Sequence, residues 1–155
     1  MQISQATTPT YLDLRELLEI LLTLYHNHIK YGITLETSFG VLPEALTYPA
    51  LLAQALAALL EHSIEAMQRK GKLRIEAQNY FNAIEIRIED TRPPIEPQFL
   101  ANFFEPSYLA QRYGAAQAHR ITQGLSAINC LGGSLSYEQN QEYFSMILTL
   151  PLHVE

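Results

Sequence analysis

The chain has 155 residues, the size of one domain, and its apolar fraction of 48% against 17% charged supports a buried core and argues against disorder. A formal charge of −6 without a basic run argues against nucleic acid and anionic membrane as partners. The lone Cys130 excludes an internal disulfide, no charged-then-apolar leader is visible, and the longest apolar runs are far short of a membrane span, so a cytoplasmic protein is expected.

Residues 1–10 are polar, end in Thr-Pro-Thr, and read as a loose tail; one domain is expected over 11–155. The next stretch places Leu14, Leu17, Leu18, Leu21, Tyr25 and Ile29 on one stripe, the spacing of an amphipathic helix, with Asp13 as a cap and Gly32 as its stop. "ITLETSF" alternates as a strand, with Ile33, Leu35 and Phe39 facing in. "VLPEALTYPALL" is a turn region in which Pro49 suits the first turn of a helix that runs to about Arg69 and is ended by Gly71.

Two alternating runs follow, Leu73, Ile75, Ala77 and then Ile84, Ile86, Ile88, around the turn "NYFN". They predict an antiparallel hairpin with one wet face. "TRPPIEPQ" is a loop. The segment from Phe99 to Arg120 is expected to hold a short helix and then an irregular stretch. "ITQGLSAINCL" reads as a helix closed by Gly132 and Gly133, and the end of the chain as a second hairpin with its turn near Asn140. The order predicts an α+β, two-layer sandwich: a mixed, mainly antiparallel sheet with helices on one face and water on the other.

Four patterns carry a family resemblance. "QALAALLEHSIEAM" resembles an N-box helix, "IRIEDTRPPI" a strand running into D-x-G-x-G, "FFEPSY" an F-box, and "LGGSLSYEQNQEYFSMILTLPL" a closing glycine pair and hairpin. In this order, over about residues 11–152, the chain resembles the ATP-binding domain of histidine kinases in the GHKL ATPase superfamily.

The resemblance implies a nucleotide pocket, and the residues depart from it at three places. The N-box asparagine that holds Mg²⁺ is His62 here, beside Glu61, and the asparagine one turn earlier is Ala58. Imidazole is a poor ligand for a hard ion that takes oxygen donors. Asp90 stands where the family's aspartate accepts a hydrogen bond from the adenine amino group, but the two glycines after it are Arg92 and Pro94. The prolines of "DTRPP" stiffen the loop and remove backbone donors, although Arg92 retains the means to contact a phosphate. The phosphate-cradling glycines fall on Ala116, Ala118 and Arg120, or in a shifted register on Gly114, Ala116 and Ala118. At most one glycine survives, and a backbone cradle needs more.

No histidine lies in the H-E/D-x-(K/R)-x-P context of a phosphoacceptor, so the chain is expected to be one part of a larger system or a stand-alone relic. His26 and His28 point about 200° apart on a helix and cannot share one ion. The run Phe99, Phe103, Phe104, Tyr108, Tyr113 reads first as a lid packed on its own domain and second as a partner surface.

The expectation is a degenerate histidine-kinase ATPase-like domain that acts in bacterial signalling through protein contacts, with no cofactor and no metal. Its partner would be a kinase dimerisation domain or a response regulator, with a homodimer as a further possibility. The alternative is a nucleotide-binding kinase or ATPase domain that takes ATP and Mg²⁺ in an atypical pocket, with Asp90, Arg92 and Gly114 as its tools.

Overall fold

The computed structural model describes residues 8–154, so most of the expected tail lies outside the described residues. Thr10 does not belong to that tail. It opens a short strand β1 (Thr10–Leu12), which pairs antiparallel with β3 (Ala45–Thr47). Both strands have three residues, too few for alternation to stand out in the sequence.

Helix α1 (Leu14–Leu24) starts as expected: the Asp13 carboxylate accepts the Glu16 N–H at 3.2 Å. Leu14, Leu18 and Leu21 are buried and Leu17 is half-buried. The helix does not continue to Gly32. Tyr25, at φ −94° and ψ 7°, interrupts it, and a separate turn α2 (His26–Ile29) follows. Strand β2 (Ile33–Phe39) buries Ile33, whereas Leu35 is 37% exposed, contrary to its expected inward position. As an edge strand, β2 has a neighbour on one side only.

Helix α3 (Pro49–Ala66) has Pro49 in its first turn and buries all of its leucines. It ends before Arg69. Gln68 and Arg69 both take positive φ, and the Arg69 N–H closes on the Ile64 carbonyl at 3.1 Å. Gly71, at φ +132°, then starts β4 (Gly71–Tyr80), and a side chain there would collide with the Thr91 hydroxyl. Strand β5 (Ala83–Asp90) closes the expected hairpin.

After the proline-rich loop come α4 (Pro97–Leu100), α5 (Pro106–Tyr113) and α6 (Ala115–Cys130). The stretch expected to be irregular is therefore helical, in keeping with the helix preference of Ala115, Ala116, Gln117 and Ala118. Gly114, at φ +98°, is the hinge residue between α5 and α6. Gly132, at φ +72°, turns the chain into the final hairpin, β6 (Ser134–Gln139) and β7 (Phe144–Pro151).

The main sheet has the order β2-β4-β5-β7-β6, with β2 and β4 parallel and all other neighbours antiparallel. Its inner face carries Leu73, Ile75, Ile86, Ile88, Met146 and Leu148, all buried under the helices. The opposite face is polar. There Glu89 accepts the Ser145 hydroxyl at 2.8 Å and lies 3.1 Å from Arg74, and Arg87 meets Glu138 at 2.7 Å. The α+β two-layer sandwich is as expected. Among the described residues, no helix is long and apolar enough to cross a membrane.

Candidate functional site

Strand β5 delivers Asp90 to the interior end of the sheet, where the carboxylate has no exposure to water. Two residues on, the loop turns back on itself. Arg92 Nε donates to Asp90 Oδ1 at 2.8 Å and its NH2 to Oδ2 at 2.7 Å, while the Arg92 backbone N–H also donates to Oδ1 at 3.1 Å. This fork-to-fork geometry is the strong form of an arginine–carboxylate pair. Both side chains are buried.

Helix α3 supplies His62, 2% exposed, three residues after Leu59 on the buried side of the helix. Arg92 NH1 lies 2.9 Å from His62 Nε2. A guanidinium can only donate, so Nε2 accepts, and the ring proton sits on Nδ1, which donates to Gln117 Oε1 at 3.1 Å. Burial, and then the charge of Arg92, hold the His62 pKa well below its ordinary value, against a smaller opposing effect of the Gln117 bond. The imidazole is therefore neutral and both of its nitrogens are engaged. For Arg92 itself, burial disfavours the charge, but the Asp90 carboxylate and the Tyr113 hydroxyl together offset it and the net shift is upward.

Aromatic rings close the cluster. Arg92 NH1 donates to the Tyr113 hydroxyl at 3.2 Å, and its guanidinium lies 4.0 Å from the Phe144 ring centre and 5.5 Å from that of Phe103. Phe103, fully buried, also meets Phe104, Tyr137 and Phe144. The lid aromatics are thus divided: Phe103 is core, whereas Phe99 is 44% exposed and stacks on Tyr108.

Asp90, Arg92 and His62 therefore meet in one cluster. Glu61 and Gly114 do not join it. Glu61 turns to the other side of α3, where it accepts the Tyr25 hydroxyl at 3.1 Å and pairs with Arg120 of α6. Gly114 caps α6, and a Cβ there would meet nothing within 4 Å. Ala58 faces Gly124: a Cβ on Gly124 would come within 2.9 Å of the Ala58 Cβ, so α3 and α6 are in close contact at that level.

Sequence reasoning did not place Tyr113, Gln117 or Phe144 in the site: Tyr113 was read only as part of the aromatic lid, yet it and Phe144 contact Arg92, and Gln117 holds His62. The first two lie in the stretch expected to be irregular, and once its helices are drawn they fall four residues apart on either side of Gly114. A groove of about 330 Å³ lies outside this cluster, lined by Pro94, Ile95, Phe99, Tyr108 and Arg112 among others, and none of Asp90, Arg92, His62 or Gly114 borders it. Among the described residues no group of three or more His, Cys, Asp or Glu side chains is placed to hold a metal ion, and His26 and His28 are exposed on α2.

The family model of histidine kinase-, DNA gyrase B- and HSP90-like ATPases matches residues 47–154. No curated protein sequence matches the chain. Among solved structures, the catalytic domain of the histidine kinase ThkA is similar at 20% identity and a TM-score of 0.81, over 95% of this chain and 97% of that one. The Acinetobacter baumannii histidine kinase AdeS is similar at 20% identity and 0.70, over 96% of this chain and 71% of its own. ThkA in its complex with the response regulator protein TrrA is similar at 19% identity and 0.74, over 92% and 41%. At these identities the likeness to the solved structures is one of fold.

Proposed function

The chain belongs to the histidine kinase-, DNA gyrase B- and HSP90-like ATPase family, and from that premise we propose that it is a degenerate member, a docking domain of bacterial signalling whose nucleotide site is filled by its own side chains. The observation that carries this reading is the buried clasp of Arg92 on Asp90. Asp90 stands at the position of the adenine-binding aspartate, and both of its oxygens are engaged by the neighbouring guanidinium. An adenine would have to expel Arg92, which also serves His62 and Tyr113.

The residues at the metal position fit Mg²⁺ no better. His62 offers a nitrogen already committed to Arg92, and Ala58, pressed toward Gly124, has no ligand atom. We therefore assign the chain no step through ATP or a metal. The mechanism is recognition: a rigid scaffold holds the lid between Arg92 and Arg120 and the outer side of α1 toward other proteins. ThkA is known in complex with the response regulator TrrA, and a response regulator or a kinase dimerisation domain is the class of partner proposed here.

Calorimetric titration with ATP and ADP, with and without Mg²⁺, tests the reading. No saturable heat is expected, and Mg²⁺-dependent binding in the micromolar range overturns it. One observation favours the alternative of an atypical nucleotide-binding domain: Gly114 stands open at the start of the 16-residue helix α6, where backbone N–H groups suit an anion. The same titration decides between the two, because that alternative requires heat where the first requires none.

A further inference from the structure

Helix α1 has a second apolar face that starts at the core's edge with Leu17 and runs out into solvent. Leu17, Ile20 and Leu24 follow one another at spacings of three and four, so they line one side of the helix for about two turns. Leu17 is half-buried, Ile20 is 50% exposed and Leu24 is 69% exposed. Beside them Tyr11 of β1 is 63% exposed, and the strand and helix enclose a groove of about 320 Å³.

The rim of that groove has one sign of charge. Asp13, Glu16 and Glu44 line it, and no lysine or arginine does. Arg15, the one basic residue of α1, is turned away: it donates to the Phe39 carbonyl at 2.9 Å and lies over the Phe39 ring. His153 sits edge-on to Tyr11 at the groove's wall.

The geometry points to this groove as a docking site for an amphipathic helix of a partner protein, with an apolar stripe for Leu17, Ile20 and Leu24 and lysine or arginine flanks for the acidic rim. A ridge of side chains at i, i+3 and i+7 is the shape into which a second helix fits. Charge complementarity selects the occupant. A second copy of this chain would set the three rim carboxylates against their own kind, whereas a cationic flank is attracted and steered to them. The proposal rests on reading the chain as a docking module and names the partner's chemistry at one of its surfaces.

The test uses a synthetic amphipathic peptide of about 15 residues, with leucines at helical spacing and flanking lysines, and a second peptide with glutamates in place of the lysines. The ¹⁵N-labelled full chain is titrated with each by NMR. The lysine peptide is expected to shift the amides of β1 and α1, to bind at least about tenfold more tightly than the glutamate peptide, and to lose about tenfold in affinity to Ile20→Glu and to the Glu16→Lys, Glu44→Lys double variant. All three substitutions are at exposed positions, so the variants keep the fold.

Equal binding of both peptides, shifts scattered away from β1 and α1, or no effect of either variant overturns the proposal. Titration of ATP into the same samples separates the two readings. Nucleotide binding defeats the filled-pocket reading while leaving the groove result standing, and peptide failure with ATP still refused defeats the groove alone.

Discussion

Arg92 holds Asp90 by two near-parallel hydrogen bonds of 2.8 and 2.7 Å, across a span of two residues and out of contact with water. A pair so close in sequence needs no long-range folding to find itself, but it needs the aromatic cage to stay dry. Removing one partner strands the other as a buried charge. Arg92→Met is therefore expected to cost about 3–5 kcal/mol, whereas Asp90→Asn combined with Arg92→Met restores a large part of it, because no unpaired charge remains. Urea unfolding of the two single variants and the double variant measures this. A loss under about 1 kcal/mol in Arg92→Met means that the clasp is incidental.

The Glu61–Arg120 pair is a control for that argument, since it too is an arginine–carboxylate pair, joining α3 to α6, but lies at the surface. Its side chains are 32% and 45% exposed, and Tyr25 shares the carboxylate. Solvent and salt screen such a pair. A double-mutant cycle of Glu61→Gln and Arg120→Gln is expected to give a coupling of about 0.3–1 kcal/mol that shrinks as salt is raised. A coupling several times larger and insensitive to salt contradicts the exposed placement of the pair.

How much of this was legible in the sequence depends on the distance over which each signal acts. The hairpins were, because Ile84, Ile86 and Ile88 alternate and the register of β4 with β5 follows from a short turn. The cap at Asp13 and the proline opening of α3 were, because both are local chemistry. The break at Tyr25 was not, because an unbroken apolar stripe runs through it and the interruption is a matter of backbone angles alone. The start of α6 was not: an irregular stretch was expected up to Arg120 after one short helix, although Ala115, Ala116, Gln117 and Ala118 favour a helix.

At the site, Asp90, Arg92 and His62 were found as departures from a family pattern, but their mutual contact was not. Arg92 was weighed as a group for an external anion, whereas it spends its donors internally on Asp90, His62 and Tyr113. Nothing in "DTRPP" alone says which way the guanidinium turns. That is decided by the buried carboxylate behind it and the rings of Phe144 and Phe103 around it.

The contact of α3 with α6 gives a steric prediction. Gly124 lies within α6, where glycine is otherwise unfavourable, and its missing side chain is what lets Ala58 approach. Gly124→Ala gains helix preference but brings two Cβ atoms to 2.9 Å, so the helices must separate slightly and the two effects oppose each other. Gly124→Leu has no such offset and is expected to cost about 1–3 kcal/mol by overpacking. Thermal unfolding of both variants checks the order: leucine well below wild type and alanine close to it. A leucine variant as stable as wild type means that α3 and α6 are loosely packed at Ala58 and Gly124.

Protonation of His62 supplies the last prediction. Burial and the Arg92 charge depress its pKa in the folded chain, while the unfolded chain titrates near the ordinary value of 6.5. Below that value the unfolded state binds the proton more readily, so stability must fall with falling pH; above it, neither state takes up the proton and the contribution is complete. The loss sets in below about pH 6.5 and deepens toward the depressed folded pKa, at no more than about 1.4 kcal/mol per pH unit from this one group. Chemistry points the same way, because a protonated Nε2 can no longer accept from Arg92 NH1 and would set two cations 2.9 Å apart. His62→Gln retains an amide oxygen as acceptor and removes the titration. Urea midpoints measured on both proteins between about pH 8 and 5 are expected to run parallel at the alkaline end and to converge or cross toward acid as wild type loses its advantage. Parallel curves over the whole range would mean that His62 titrates alike in both states, and the dry, arginine-bound imidazole would have to be abandoned.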